Sequence, residues 1–95
     1  MLENKFKTNL ISEIESRFPG AIVLHIKPPP QGIPDLLVLF NDHWAALEGK
    51  IAPDASHRPN QDYYVEMMNK MSFASFIDPM NKEAVLNAME RSFMV

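Results

Sequence analysis

Two short apolar segments joined by a tight turn are the feature that most constrains the fold of this chain. The sequence DLLVLF (35–40) is followed by the turn NDH and then by WAALEGKI (44–51). Apolar segments of this length around a polar turn predict a β-hairpin of two antiparallel strands. Because side chains alternate along a strand, Glu48 and Lys50 project from one face and Gly49 from the other. Each strand therefore carries charge where a core is expected.

The segments around the hairpin predict the rest of the fold. Residues 3–18 place an apolar residue at each helical i, i+4 and i+7 position, which predicts an amphipathic helix. Its stripe consists of Phe6, Leu10, Ile11, Ile14 and Phe18. Further strands are predicted in AIVLHI (21–26) and SFASFI (72–77), with a stiff proline loop at 28–30. Further helices are predicted in 60–71, with Asn60 as a possible cap, and in 82–93.

The resulting order is α-β-β-β-α-β-α. It predicts one α/β (α+β) domain over residues 1–95, with a mixed four-stranded sheet flanked by helices. The chain has 95 residues, of which 46% are hydrophobic and 22% charged, as expected for a single globular domain. It contains no cysteine, so disulfides and thiolate metal sites are excluded. No apolar run is long enough for a membrane span or signal peptide, so we expect a cytoplasmic protein with no membrane partner.

The hairpin also brings charged groups together. Asp35 opens the first strand and twelve residues separate it from Glu48, enough for a strand, a turn and a returning strand. The two carboxylates should therefore lie side by side, where they would repel each other unless a cation lies between them. Oxygen ligands favour a hard metal, Mg²⁺ with Mn²⁺ as a substitute. The alternative is that Glu48 and Lys50 form a solvated pair on the strand face while Asp35 caps a turn.

Helix one offers a third carboxylate. At about 100° per residue, Glu3 falls near the middle of the apolar stripe, which predicts that it points inward. An inward carboxylate needs a partner, unless it lies in water at the frayed helix end. The metal cluster would be such a partner for Glu3.

Two other residue types have simpler interpretations. The three histidines lack the spacing of metal ligands and are expected in core, turn and loop positions. The methionines are expected mainly to fill the core, although several of them suit an adaptable apolar interface. These methionines are Met67, Met68, Met71, Met80 and Met89.

The charged residues carry a resemblance to known nucleases. Pro34–Asp35 followed by EGK at 48–50 resembles the P-D…(D/E)-x-K signature of the restriction-endonuclease-like nucleases, and the predicted element order is similar to their common core. Glu3, GIPDLL, EGK and the glutamine in RPNQ together resemble the VRR-NUC nucleases. The opening LENK of helix one is similar to that of phage-type Holliday-junction resolvases. The resemblance spans residues 3–86.

The resemblance implies a Mg²⁺-dependent endonuclease that hydrolyses DNA. Its metal ligands would be Glu3, Asp35 and Glu48, and the bound ion would activate a water and polarise the phosphate. Lys50 would orient that water or neutralise charge that builds on phosphorus. Gln61 would hold a water or a phosphate through its amide, or it is simply an exposed glutamine at a helix start.

The charge balance bears on DNA binding. The net charge of −3 shows no overall basic excess, but without the three acidic residues Glu3, Asp35 and Glu48 the 12 acidic residues fall to 9, equal to the 9 Lys and Arg. Five basic residues flank the proposed site in sequence and are expected to contact phosphates. They are Lys5, Lys7, Lys27, Arg58 and Lys70.

The expected substrate is branched DNA such as a four-way junction, cut by an enzyme of phage or prophage origin in the host cytoplasm. One chain carries one set of site residues, so two cuts would require a homodimer. Its interface is expected on the outer face of helix one or of the methionine-rich second helix. Two alternatives remain open: a non-catalytic nucleic-acid-binding or assembly module on the same fold, and a nicking or restriction-type nuclease.

Overall fold

The computed structural model describes residues 3–27 and 31–95, and its elements follow the predicted order. The proline loop at 28–30 lies outside the described residues. The helices are α1 (Glu3–Arg17), α2 (Gln61–Met71) and α3 (Lys82–Phe93). The strands are β1 (Ile22–His25), β2 (Leu36–Phe40), β3 (His43–Gly49) and β4 (Phe73–Ile77). This confirms the predicted α+β class, while a restriction-endonuclease-like core stays a prediction.

The four strands form one mixed sheet in the order β1-β2-β3-β4. β1, β2 and β3 pair antiparallel, and β4 joins β3 in parallel after the crossover through α2. The β2–β3 turn is only two residues long and needs a left-handed residue, which Asn41 supplies with φ of 55°. The predicted hairpin is therefore confirmed, with Lys50 just beyond the end of β3.

The hydrophobic core lies between one face of the sheet and the helices α1 and α3. The predicted stripe of α1 is buried there, with Ile11 at its partly buried margin. Strand alternation sends Leu36, Val38, Ala45 and Leu47 into this core. The opposite face of β3 carries Trp44, Ala46 and Glu48. Helix α2 packs on that opposite face, mainly against β3 and β4.

Two local predictions need correction. Asn60 is at the N-cap position of α2 as predicted, but it has a left-handed backbone with φ of 72° and makes no side-chain cap bond. The loop before β2 packs closely here, since a Cβ on Gly32 would lie 2.7 Å from the Asn60 Cβ. The second concerns the methionines, which were expected mainly in the core with several of them suited to an apolar interface: Met89 of α3 is in the core, whereas Met67 and Met71 of α2 and Met80 before α3 are exposed. Gln61 is the one fully buried residue of α2, so this helix contributes little to the core.

None of the helices within residues 3–27 and 31–95 is both long enough and apolar enough to cross a membrane.

Candidate functional site

The register of the sheet makes Asp35 and Glu48 neighbours. Leu36 of β2 pairs with Leu47 of β3, so the next position of the hairpin places Asp35 opposite Glu48. Ile26 donates its backbone N–H to the Asp35 carbonyl at 2.8 Å, and Glu48 pairs with Phe76 on β4. Directly opposed residues share a face of the sheet. Ile26, Asp35, Glu48 and Phe76 therefore form one row across it, with the two carboxylates at its centre.

Both carboxylates are buried, with Asp35 5% and Glu48 6% exposed. Burial raises the pKa of Glu48 to about 7, and the negative charge of Asp35 adds to this rise. The positive charges of Lys50 and Lys7 oppose the rise but do not cancel it. The interpretation of Glu48 and Lys50 as a solvated pair on the strand face is therefore wrong, because Lys50 is buried as well.

Lys7 enters the site from α1 and forms an ion pair with Oδ2 of Asp35. Its aliphatic chain passes over Gly49, where an added Cβ would lie 3.0 Å from the Lys7 Cε. Glycine at position 49 thus leaves the space through which Lys7 reaches the carboxylates. Lys7 was predicted to contact phosphates because it flanks the proposed site in sequence, and in the structure it lies among the acidic groups. Lys7 is three residues before Leu10, so the two side chains lie on the same buried side of α1. This spacing was the sign in the sequence that Lys7 points toward the sheet.

Glu3 lies one turn before Lys7 and close to it. Its Oε1 is 3.7 Å from the Lys7 Nζ, and its side chain is about half exposed. Of the two outcomes left open for Glu3, the structure shows the one at the helix end, where the first turn of α1 leaves this side chain in contact with water. Glu3 nevertheless lines the same pocket as Asp35 and Glu48.

Lys50 is held by the start of α2. Its Nζ donates to Oε1 of Gln61 at 2.8 Å and to the Ser56 carbonyl at 3.2 Å. The same Gln61 oxygen accepts the Arg58 backbone N–H at 2.8 Å. Gln61 is 4% exposed, so the interpretation of an exposed helix-start glutamine is wrong. Gln61 therefore fixes the Lys50 ammonium and the 51–60 loop at one point.

An aromatic contact holds the 51–60 loop against the sheet. The His57 ring stacks on Phe76 with centroids 3.9 Å apart, and its Nδ1 lies 2.8 Å from Oδ1 of Asp62. Phe76 is the cross-strand neighbour of Glu48. The loop that carries Arg58 is thereby held beside the carboxylate row.

These groups surround a pocket of about 200 Å³. It is lined by Glu3, Asn4, Lys7, His25, Ile26, Lys27, Asp35, Glu48, Lys50, Arg58 and Gln61. The predicted ligands and catalytic residues all lie here, as do three of the five predicted phosphate contacts. Two others do not line it: Lys5 is exposed on α1, and Lys70 pairs with Glu66 at 3.6 Å in the last turn of α2.

His25 also lines the pocket, and sequence reasoning missed it. Its Nε2 lies 3.4 Å from Oδ2 of Asp35. The contact depends on the pairing of β1 with β2, which places His25 opposite Leu36 and hence beside Asp35. An end-of-strand histidine gives no sign of this register in the sequence.

The carboxylates fit a hard cation in one respect and not in another. Oδ1 of Asp35 is buried without any hydrogen-bond partner, and Glu48 beside it is a second buried carboxylate. A cation between them would satisfy the first oxygen and relieve the repulsion that raises the Glu48 pKa. In the part of the chain that the structure describes, however, no three His, Asp or Glu side chains form a ready-made metal cluster. Asp35 and Glu48 therefore suit a bound cation as a pair of ligands. Glu3 is half exposed and paired with Lys7.

The comparisons with known proteins identify no relative: no protein-family model, no curated protein and no solved structure matches this chain.

Proposed function

We propose that this protein is a metal-dependent DNA endonuclease of the P-D…(D/E)-x-K type, acting in the cytoplasm on branched DNA. One observation carries the proposal. The Asp35 and Glu48 carboxylates are buried side by side in an open pocket, with Lys50 fixed two residues beyond Glu48. Buried acids and an ammonium are costly to gather in a domain of this size, so their convergence indicates chemistry rather than stability.

Asp35 and Glu48 would hold Mg²⁺ or Mn²⁺, because oxygen is the donor that these ions prefer. The ion, when bound, supplies an activated water and polarises the scissile phosphate. Glu3 is at the pocket wall and is proposed as the third carboxylate, which requires it to leave Lys7. Lys7 and His25 hold Oδ2 of Asp35, which leaves Oδ1 available to a cation.

Lys50 is proposed to act on the phosphate or on the attacking water. Gln61 accepts one Lys50 hydrogen, and an ammonium has three to donate. A second Lys50 hydrogen reaches the Ser56 carbonyl, so one donor remains for substrate or water. A positive group held in place before the reaction stabilises charge that builds on the phosphate oxygens.

The DNA backbone is proposed to pass along the basic rim of the pocket. Lys27 and Arg58 line it, and Lys5 lies on the exposed side of the first turns of α1. Such contacts fix the position of the duplex without reading its sequence. Lys70 is further away and already paired with Glu66, so we expect the smallest contribution from it.

A four-way junction is the proposed substrate, and two copies of the chain form the working unit. Two cuts in strands related by two-fold symmetry match a two-fold dimer with one site per copy. The proposed setting is a phage or prophage, with the enzyme acting in the host cytoplasm.

A cleavage assay tests the proposal directly. Junction, flap, duplex and single-stranded DNA are compared in Mg²⁺, Mn²⁺ and EDTA, with Asp35→Ala as the inactive control. We expect metal-dependent cleavage with preference for the junction. Equal cleavage by Asp35→Ala, or cleavage in EDTA, would contradict the proposed mechanism.

A second candidate has an observation in its favour. Lys7 already places a positive charge on Oδ2 of Asp35, so the acidic pair is partly neutralised without a metal. This arrangement suits a nucleic-acid-binding or assembly module that has kept the fold. Junction binding in EDTA, with no cleavage in any metal, would favour that candidate. Sequence-dependent nicking of a linear duplex would favour the restriction-type alternative.

A further inference from the structure

The Lys7 ammonium lies beside the carboxylates that are proposed to hold the metal. It forms an ion pair with Oδ2 of Asp35, and its Nζ is 3.7 Å from Oε1 of Glu3. The Lys7 charge also acts on Glu48, whose pKa it lowers against the rise caused by burial. The three acids proposed as metal ligands therefore already interact with a positive group of the chain itself.

The position of Lys7 is a costly one for a charged side chain. Lys7 is 9% exposed and lies on the buried side of α1 with Leu10. An apolar side chain would fill this position without the cost of removing an ammonium from water. Gly49 in turn leaves the space for the Lys7 chain, because an added Cβ would lie 3.0 Å from its Cε. Both residues therefore indicate that the charge itself has a function at this point.

The second buried lysine of the pocket is held in a different way. Lys50 donates to Oε1 of Gln61 at 2.8 Å and to the Ser56 carbonyl at 3.2 Å, and both of these oxygens are uncharged. Within residues 3–27 and 31–95, the Lys7 ammonium donates one hydrogen bond, to Asp35, although it has three hydrogens to donate. Binding of a metal would thus take partners from Lys7 and leave those of Lys50 intact.

The geometry points to Lys7 as a tethered internal cation that competes with the metal ion for the carboxylates and so sets the metal affinity of the site. The inference rests on the metal site that we propose at Asp35 and Glu48. It assigns Lys7 a role that differs from the phosphate contact expected from the sequence.

The competition has two parts. Oδ1 of Asp35 has no hydrogen-bond partner and is open to a cation, but the ammonium on Oδ2 of the same carboxylate repels a second positive charge. Glu3 can join the ion only when it leaves Lys7. A lysine with a purely structural role, as a link between α1 and the residue before β2, would have no such effect on metal affinity.

Titration with Mn²⁺ in the absence of DNA tests the inference, with the electron paramagnetic resonance signal of the free ion as the measurement. It is made at about pH 8, above the Glu48 pKa of about 7, because metal ligands bind in their deprotonated form. Lys7→Met should bind Mn²⁺ on the order of 10–100-fold more tightly than the parent, since the competing charge is gone. Asp35→Asn in the Lys7→Met chain should abolish this gain.

Two further variants separate the charge of Lys7 from its other properties. Lys7→Arg keeps the positive charge and should bind Mn²⁺ no more tightly than the parent. Lys82→Met is the matched control, because Lys82 pairs with Glu13 of α1 at 2.7 Å and does not line the pocket. It also removes one positive charge and frees one carboxylate of α1, yet its Mn²⁺ affinity should stay within about twofold of the parent.

Urea unfolding gives a second measurement, which applies even where Lys7→Met is the less stable chain. In EDTA this variant leaves Asp35 without its ammonium and should unfold at a lower urea concentration than the parent. Because Mn²⁺ binds the folded chain, it should raise the urea midpoint of Lys7→Met by more than that of the parent. If Lys7→Met is unfolded in EDTA, Mn²⁺ should restore its helical circular dichroism.

Three results would overturn the inference: Lys7→Met that binds Mn²⁺ no better than the parent, Lys7→Arg that binds it as tightly as Lys7→Met, or Lys7→Met that stays unfolded in Mn²⁺. These results are distinct from a failure of the nuclease proposal. DNA cleavage by the parent, together with equal Mn²⁺ affinities, would refute the role of Lys7 and leave the proposed function in place. Tighter Mn²⁺ binding by Lys7→Met, in a protein that cleaves no DNA, would refute the nuclease and support the role of Lys7.

Discussion

The Lys7 ammonium forms an ion pair with the Asp35 carboxylate from a helix that packs on the opposite side of the sheet from α2. The ion pair links α1 to the residue just before β2. The aliphatic part of Lys7 also packs over Gly49 at the end of β3, so three elements meet at this edge of the sheet. The ion pair also leaves Oδ1 of Asp35 without a partner. The site thus combines a satisfied and an unsatisfied oxygen on one carboxylate.

Removal of either central carboxylate should abolish cleavage and leave the fold intact. Asp35→Ala or Glu48→Ala takes away one of the two buried acids that we propose as metal ligands. The measurement is junction cleavage in Mg²⁺, with circular dichroism as the check on folding. Asp42→Ala, at an exposed acid in the β2–β3 turn, is the matched control and should cleave normally. Cleavage near the parent rate by either site variant would contradict the ligand assignment.

The metal-free protein should lose stability as the pH rises from about 4.5 to about 7, because of Glu48. The folded-state pKa of Glu48 is raised to about 7 from 4.5, so the folded chain binds this proton more tightly than the unfolded chain. Its contribution is fully present below pH 4.5 and is lost as the pH passes through 7. Glu48→Gln should therefore unfold at a higher urea concentration than the parent at pH 8.

The difference between parent and Glu48→Gln should be smallest near pH 4.5. Urea unfolding in EDTA at pH 4.5, 6 and 8 measures it, with Glu15→Gln on the exposed side of α1 as the control. A stability difference that does not change with pH would show that the Glu48 carboxyl has an ordinary pKa.

Lys50→Met should slow the chemical step by about 10²–10³-fold, as is usual when an electrostatic stabiliser is removed. Metal affinity should change little, because Lys50 is not among the proposed ligands. Single-turnover rates at saturating enzyme isolate this step from binding. Lys70→Met is the control, because Lys70 is exposed and outside the pocket. An unchanged rate in Lys50→Met would restrict this lysine to a structural role.

Gly49→Ala should destabilise the fold by about 1–3 kcal/mol, because the new Cβ would lie 3.0 Å from Lys7 Cε and displace that side chain. In a Lys7→Ala background the same substitution should cost much less. A double-mutant cycle of urea unfolding measures this coupling. Additive effects of the two substitutions would show that Gly49 does not provide the passage for Lys7.

The sequence predicted the fold well because periodicity records which side of each element is buried. The stripe of α1 and the alternation of the hairpin were sufficient to place Asp35 beside Glu48. The other contacts of the site depend on how the helices and strands pack against one another. His25 reaches Asp35 through the β1–β2 register, which has no local signature. Lys7 reaches it through the space above Gly49, and its place on the buried side of α1 was the only sign of this in the sequence. Met67 and Met71 of α2 were expected mainly in the core but are exposed. Residue type alone does not distinguish a methionine of the core from one on an uncovered apolar surface.

The last prediction concerns the pairing of two sites in one dimer. Active chains are mixed with Asp35→Ala chains, and the substrate is a supercoiled plasmid with an extruded cruciform. A heterodimer has one working site, so it should cut one strand and leave a nicked circle, whereas a dimer of active chains should give linear product. Linear product should therefore fall with the square of the active fraction as nicked circles accumulate. Mixing the active chain with the same amount of an unrelated inert protein serves as the control and should leave the linear product unchanged. Linear product that falls only in proportion to the active fraction would contradict the paired-site model, because it would mean that each chain completes both cuts alone.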